Sequence, residues 1–80
     1  MDKKEINQGV KKVIGQVLGI NKNEIDDNAN FIFDLGADSM QSIQLVAAFE
    51  EEFGIEMEED RALEVQTVSG AVDFIAEQLG

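Results

Sequence analysis

Three segments of the chain repeat apolar residues at helical spacing, and this periodicity limits the fold to packed helices. The first segment spans residues 3–18, the second residues 38–53 and the third residues 68–79. A weaker pattern at residues 60–64 predicts one short helical turn. No segment alternates apolar and polar residues as a strand does, and the chain contains no proline. The sequence therefore predicts an all-α fold, a small bundle of three main helices plus one short helix.

The residues at two of the predicted helix ends are those that helix termini prefer. Asp2 and Glu5 have the spacing of a capping box at the start of the first helix. Gly19 follows the last residue of that helix, where glycine is favoured. Asp38 is a suitable N-cap for the middle helix, with Gln41 three residues later as its reciprocal partner.

A long connection, residues 20–37, separates the first and second predicted helices. It is long for a helix connection in a bundle, and long anchored loops often carry function. A loop that simply spans one helix length is the alternative. We expect its apolar residues to hold it against the core: Ile20, Ile25, Phe31, Ile32, Phe33 and Leu35. With 80 residues, of which 44% are apolar, the chain is expected to form a single domain over residues 1–80.

The absence of histidine and cysteine excludes several classes of function. Without histidine there is no Ser-His triad, and the commonest general base and metal ligand are missing. Without cysteine there is no disulfide and no thiolate metal site. Asp26, Asn28 and Asn30 have the spacing that begins an EF-hand calcium loop. Phe31 and Ala37 then occupy the positions where that loop needs glycine and glutamate, so we expect no metal site.

The chain is strongly acidic, with a formal net charge of −11. Residues 23–60 hold 12 Asp or Glu and no Lys or Arg, and 7 of these acids lie in residues 50–60. Such charge repels nucleic acids and anionic membranes and attracts basic proteins. The acidic run is either a solvated helix face or a surface for a basic partner, and the charge pattern alone leaves both open. No apolar stretch is long enough to span a bilayer, so we expect a cytoplasmic protein without membrane insertion. We also expect this protein to be a monomer.

The middle helix has two apolar faces where a surface helix needs only one. The face expected to join the core contains Leu45, Val46, Phe49 and Phe53. A second face, about 130° away by helical geometry, contains Met40, Ile43 and Ala47, with Gln44, Glu50 and Glu51 at its rim. Either this helix is central and packs on both sides, or the second face is an exposed partner site. The small size of the bundle favours the partner site.

Ser39 occupies the first helical position after the cap residue Asp38. No histidine is present to activate its hydroxyl, and every lysine lies at or before residue 22, so Ser39 is not expected to be a catalytic nucleophile. Another enzyme can instead modify it, since a phosphate ester here would meet free backbone N–H groups and the positive end of the helix dipole. Asp34 and Asp38 would repel such an anion, and helix statistics alone favour an ordinary first-turn residue.

Residues 34–40 have the sequence DLGADSM, and the stretch 33–53 resembles the acyl carrier protein signature. In that signature D-x-G-x-D-S-L opens the second helix and an E-E-E-F run closes it. The resemblance extends over nearly the whole chain. It implies that a phosphopantetheinyl transferase attaches the 4′-phosphopantetheine arm of coenzyme A to Ser39. It further implies that acyl groups travel on the thiol of the arm as thioesters, and that the chain itself catalyses nothing.

The resemblance also implies two sets of binding residues. The second helix would be the recognition helix for enzymes with basic docking surfaces, with the contacts Asp38, Met40, Ile43, Ala47, Glu50 and Glu51. Acyl chains would be sequestered between the helices, and the candidate lining residues are Leu45, Val46, Phe49, Ile55, Leu63 and Val72. Neither nucleic acid nor a bilayer is among the implied partners.

Three positions depart from the common pattern of that family. Met40 replaces the usual leucine, while Gln41 and Gln44 stand where acidic residues are common. The front of the recognition helix is therefore less negative, which suggests a specialised carrier rather than a housekeeping one. The alternatives are a discrete peptidyl, aryl or D-alanyl carrier and an unmodified acidic adaptor for a basic protein. The acidic second helix favours the fatty-acid or polyketide type over the other carriers.

Added salt is expected to raise the thermal stability of this chain, because salt screens the mutual repulsion of its acidic side chains. The melting temperature, measured by circular dichroism at low and at moderate sodium chloride, tests this. A melting temperature that does not change with salt would contradict it.

Overall fold

The structure is a computed structural model that describes residues 1–80, and it confirms the all-α prediction. Its four helices are α1 (Lys3–Leu18), α2 (Ser39–Phe53), α3 (Glu59–Leu63) and α4 (Val68–Leu79), with a 3₁₀ turn at Lys22–Glu24. There is no strand, only an isolated bridge between Asn30 and Thr67. The short helix begins one residue earlier than the periodicity predicts. None of the helices combines the length and the apolar composition needed to cross a membrane.

The helix ends form mostly as their residues predict. The carboxylate of Asp2 accepts a hydrogen bond from Glu5 N at 2.8 Å, which is one half of the predicted capping box; the reciprocal bond from the Glu5 side chain does not form. Gly19 ends α1 in the left-handed conformation, with φ 71°. At α2 both halves of the capping box are present, because Asp38 accepts from Gln41 N and the Gln41 side chain accepts from Asp38 N.

The core lies where α1 packs against both α2 and α4. The buried residues of α1 are Ile6, Val10, Val13 and Ile14, and those of α4 are Val68, Ala71, Val72 and Ile75. From α2 the core receives Leu45, Val46 and Phe49. Each large side chain in this set contributes roughly 1.5–3 kcal/mol by leaving water. The second apolar face of α2 remains outside the core, so α2 is not a central helix.

Short α3 is the least anchored of the four helices. Its N-cap residue, Glu58, makes no side-chain capping hydrogen bond, and only Ala62 is buried. The guanidinium of Arg61 lies 5.5 Å from the centre of the Phe74 ring, which places α3 beside α4 through a cation–π contact. Packing therefore holds α3 in place more than its own hydrogen bonds do.

Fewer apolar residues hold the long loop to the core than its composition predicts. Leu35 is half-buried, while the fully buried residues are Ile25, Ala29, Phe31 and Ala37. Ile20, Ile32 and Phe33 are exposed, so the expectation that they hold the loop in place is wrong. Ile32 and Phe33 are exposed for a local reason. The side-chain oxygen of Asn30 accepts hydrogen bonds from both of their backbone N–H groups, and this turn directs the segment away from the core.

Two glycines inside α1 allow close approaches that a larger residue would prevent. A Cβ atom on Gly9 would lie 2.8 Å from Cζ of Phe53, at the contact between α1 and α2. A Cβ atom on Gly15 would lie 2.8 Å from the backbone oxygen of Ile20, where the chain turns back after α1. Glycine costs up to about 1 kcal/mol in a helix interior, and these contacts explain why it is present here.

Gly15→Ala should lower the free energy of unfolding by about 1–2 kcal/mol, because the overpacking cost against a backbone atom exceeds the gain in helix propensity. Urea unfolding followed by circular dichroism measures this difference. The matched control is Gln16→Ala, an exposed position in the same turn, which should leave stability unchanged or slightly higher. A Gly15→Ala protein as stable as Gln16→Ala would contradict the argument.

Candidate functional site around Ser39

Ser39 is the first residue of α2 and is exposed to solvent. Its hydroxyl makes no hydrogen bond within the protein, and neither do the backbone N–H groups of Ser39 and Met40. The next N–H group, that of Gln41, is satisfied by Asp38. An anion joined to Ser39 Oγ would therefore meet two free backbone donors and the positive end of the dipole of a 15-residue helix.

A compact turn immediately before α2 sets the position of Ser39. Asn30 N donates to the carboxylate of Asp34 at 2.7 Å, and Asp34 N donates back to Asn30 O at 3.0 Å. Gly36 has φ 74°, the left-handed conformation that the reversal of the chain requires. Ala37 N then donates to Phe31 O at 2.8 Å, and the Ala37 side chain is buried. The turn thus ends in a core contact two residues before Ser39.

Backbone hydrogen bonds tie the loop to the junction between α3 and α4. Phe31 N donates to Gln66 O at 2.9 Å, Val68 N donates to Ala29 O at 3.1 Å, and Ser69 N donates to Asp27 O at 2.8 Å. These three bonds, which we call the loop–α4 junction, hold the middle of the loop beside the start of α4. No feature of the sequence indicates these bonds, because loop residues without periodicity do not show which backbone groups they meet.

Asp27 joins the same loop to α1. Its carboxylate accepts a hydrogen bond from Asn7 at 3.0 Å and forms an ion pair with Lys11 at 2.7 Å. The hydrogen bond from Lys11, the hydrogen bond from Asn7 and the charge of Lys11 together hold the pKa of Asp27 below its usual value. Asp27 therefore links the loop to α1 through its side chain and to α4 through its backbone.

No group in the structure can activate Ser39 for catalysis. The chain has no histidine, and no side chain forms a hydrogen bond with Ser39 Oγ. No cluster of three or more His, Cys, Asp or Glu is arranged to hold a metal ion, at Asp26–Asn30 or elsewhere. The hydroxyl of Ser39 is therefore exposed, and no base of this chain contacts it.

The second apolar face of α2 is exposed. Met40 is 70% exposed and Ile43 is 48% exposed, while Ala47, Glu51 and Asp38 are also exposed. Glu50 differs from the other residues expected on this face. It is half-buried, and its carboxylate accepts a hydrogen bond from Met57 N at 2.9 Å, so it holds the connection between α2 and α3. The sequence pattern missed this structural role because the partner is a backbone group in an irregular segment.

The acidic charge around Ser39 is not neutralised within the protein. The three ion pairs are Lys3–Asp73, Lys11–Asp27 and Lys12–Glu52, and all three cations lie on α1. None of them involves Asp34 or Asp38, the acids next to Ser39 in the chain, or Glu51 near the far end of α2. The surface beside Ser39 is thus negative and unpaired, as a surface that meets a basic partner would be.

An apolar cavity of about 310 Å³ opens between α2, the loop and the segment from α3 to α4. Of the predicted pocket residues, those that line it are Leu45, Val46, Phe49 and Leu63. Ile55 and Val72 do not line it: Val72 is part of the core, and Ile55 packs against the core from the connection after α2. The further apolar lining residues are Phe31, Ile32, Phe33, Met57, Ala62, Val65, Ala71 and Phe74.

The residues that line the cavity come mainly from segments with weak periodicity. Met57, Ala62 and Val65 lie between α2 and α4, where the sequence shows no strong helical pattern. Phe74 widens the apolar stripe of α4, which is the only sequence signal that places it near this space. Asn30 and Ser42 add polar atoms to the otherwise apolar wall.

One comparison with known proteins covers the segment that contains this site. A family model described as "Phosphopantetheine attachment site" matches residues 8–75. The match includes all of α2 and α3, the long loop and most of α1 and α4. It leaves out only residues 1–7 and 76–80.

Because folding lowers the pKa of Asp27, its ionised form stabilises the folded state above the unfolded pKa, and this contribution is lost as pH falls through the lower folded pKa. Asp27→Asn should therefore be less stable than the wild type near neutral pH, and the difference should shrink as the pH falls into the acid range. Urea unfolding from about pH 7 to about pH 3 measures the two free energies.

The control for this prediction is Glu24→Gln, which removes one negative charge from the same loop at an exposed residue without an ion-pair partner. It separates the loss of the Asp27 contacts from the general relief of repulsion. A constant difference between Asp27→Asn and the wild type at every pH would refute the linkage.

Proposed function

The chain belongs to the phosphopantetheine-attachment family, and on this premise we propose that it carries acyl groups as thioesters on an arm attached to Ser39. A member of this family is a carrier protein that bears covalent 4′-phosphopantetheine and is not itself an enzyme. The thiol at the end of the arm supplies the thioester chemistry. The chain supplies the attachment point, the surface that other enzymes meet and a space for the cargo.

The assignment to Ser39 depends on how the three serines of the chain differ in exposure and in the hydrogen bonds of their hydroxyl groups. Ser42 Oγ donates to Asp38 O at 2.9 Å, and Ser69 Oγ lies 3.3 Å from Thr67 Oγ1. Both residues are half-buried, whereas Ser39 is exposed and its hydroxyl is unbonded. Of the three, Ser39 is the one that an enzyme can reach without breaking an internal hydrogen bond.

The proposed attachment is a transfer from coenzyme A. Ser39 Oγ attacks the phosphorus atom that bears the pantetheine. The bond between that phosphorus atom and the oxygen that bridges the two phosphates of coenzyme A breaks, and adenosine 3′,5′-bisphosphate leaves. The hydroxyl proton passes to a base of the transferase, because no base of this chain contacts Ser39. The resulting phosphodiester carries one negative charge, and the free N–H groups of Ser39 and Met40 offset its repulsion by Asp34 and Asp38.

The cavity supports an acyl cargo. It is mostly apolar, and a hydrocarbon chain that enters it gains the free energy of leaving water. Its lining includes Ser42 and Leu45, which belong to the helix that begins at Ser39. An amino-acid cargo carries an ammonium group that would lose its hydration in such a space, so the cavity favours fatty-acid or polyketide chains.

We assign the partners from the charge of the surface beside Ser39. The proposed partners are a phosphopantetheinyl transferase and acyl-processing enzymes whose docking surfaces are basic, and the proposed setting is the cytoplasm. Gln41 and Gln44 make the start of α2 less acidic, which favours a specialised carrier over a housekeeping one. The net charge of −11 opposes self-association, so the carrier is proposed to act as a monomer.

Incubation of the protein with coenzyme A and a phosphopantetheinyl transferase should add one phosphopantetheine group. Intact-mass spectrometry should show this addition in the wild type and in Ser42→Ala, and its absence in Ser39→Ala. The modified protein should then accept fatty acids from an acyl synthetase and reject amino acids from an adenylating enzyme.

Two results would contradict the proposal at different levels. Addition that persists in Ser39→Ala would move the attachment point to another residue. Normal attachment followed by loading with an amino acid alone would support a peptidyl carrier, and a cellular role that survives Ser39→Ala would favour an unmodified adaptor.

A further inference from the structure

Two adjacent apolar residues of the long loop, Ile32 and Phe33, are largely exposed to solvent, although both also border the apolar cavity. Phe33 is 87% exposed and Ile32 is 58% exposed, and Phe33 is the most exposed of the large apolar residues in the chain. We call these two residues the loop tip. Grouped apolar side chains that a folded protein leaves in water mark interaction sites.

The loop tip is held in place by its own backbone. Asn30 Oδ1 accepts hydrogen bonds from Ile32 N at 2.9 Å and from Phe33 N at 3.0 Å. Ile32 O in turn accepts from Gly36 N at 3.2 Å, which closes the turn. Since these groups are already ordered in the free protein, a partner that binds the loop tip loses little affinity to ordering it.

The turn that holds the loop tip closes directly before Ser39. Gly36 closes the turn and lies only three residues before Ser39. On the other side of Ser39, Met40 and Ile43 are exposed on α2. Exposed apolar residues therefore lie close to Ser39 along the chain both before and after it, and Asp34, in the preceding turn, forms no ion pair.

We propose that the loop tip docks into an apolar depression, rimmed by basic residues, on the phosphopantetheinyl transferase that modifies Ser39, with Phe33 as the specificity-determining anchor. This proposal rests on the proposed function. The transferase is the occupant because its reaction takes place at Ser39 Oγ itself, whereas enzymes that process the cargo act at the far end of the arm. A second copy of this chain is disfavoured, because each copy carries a net charge of −11.

The contribution of Phe33 differs in kind from that of the acidic residues. Burial of its ring is an apolar contact that salt does not weaken, while contacts of Glu51 with basic residues are screened by salt. The two contributions therefore separate when the transfer reaction is measured at two salt concentrations. Substitutions at Phe33 also leave the core intact, because the ring makes little contact with it.

The experiment measures transfer of phosphopantetheine by a transferase that modifies the wild type, at about 0.05 M and about 0.5 M sodium chloride. Phe33→Ser should raise KM about tenfold or more, with kcat changed less than about twofold, as expected for the loss of a buried aromatic anchor. Phe33→Leu should recover most of the loss. The ratio of the KM of Phe33→Ser to that of the wild type should persist at high salt, whereas the ratio of the KM of Glu51→Gln to that of the wild type should approach one.

The matched control is Leu79→Ala, which truncates an exposed apolar residue in the last turn of α4, far along the chain from Ser39. It should transfer at the wild-type rate, and Phe33→Ser should melt at the wild-type temperature. Transfer to Phe33→Ser with an unchanged KM, while Ser39 is modified normally, overturns this inference and leaves the proposed function standing. A wild type that is never modified at Ser39 overturns both.

Discussion

The loop–α4 junction is the interaction on which the rest of the site depends. Three backbone hydrogen bonds join Asp27, Ala29 and Phe31 to residues at the start of α4. Backbone groups that leave water must find partners, and a long loop without regular structure has few of its own. By pairing with the segment before α4, the loop satisfies these groups and acquires a defined path across the bundle. The turn before Ser39 begins where this pairing ends.

The path of the loop determines which face of α2 is covered and which face stays exposed. The loop and the segment from α3 to α4 cover the inner face, which leaves the cavity along Leu45, Val46 and Phe49. The outer face stays in solvent with Met40 and Ile43. The ion-paired cations all lie on α1, so the protein balances charge on α1 and leaves it unbalanced beside Ser39. One helix thus combines a contact with the core, one wall of the apolar cavity and an exposed apolar face.

Much of this arrangement was predictable from the sequence, and the reasons for success are local. The bounds of α1 and α4 follow from periodicity and from residues such as Gly19, since these signals act within a turn or two. Ser39 can be proposed from the sequence alone, because its position after Asp38 and within a recognisable motif needs no tertiary information. The exposure of the outer face of α2 was favoured by the size of the chain alone.

The parts that escaped prediction depend on contacts between distant segments. Ile32 and Phe33 look like core residues by composition, but the side chain of Asn30 turns them outward. Glu50 looks like a solvated acid, yet it binds the backbone of Met57. The cavity was placed only in part, because Val72 faces the core while Met57 and Val65, from an aperiodic segment, face the open space. In each case the deciding partner lies outside the local pattern.

The weak anchorage of α3 has a consequence for the cavity that this helix helps to line. A five-residue helix with one buried residue and no side-chain cap has few contacts that oppose its local opening, and local opening of this kind needs less free energy than global unfolding. Opening of α3 alone would uncover the side of the cavity that Ala62 and Leu63 line, while α1, α2 and α4 stay packed around the core.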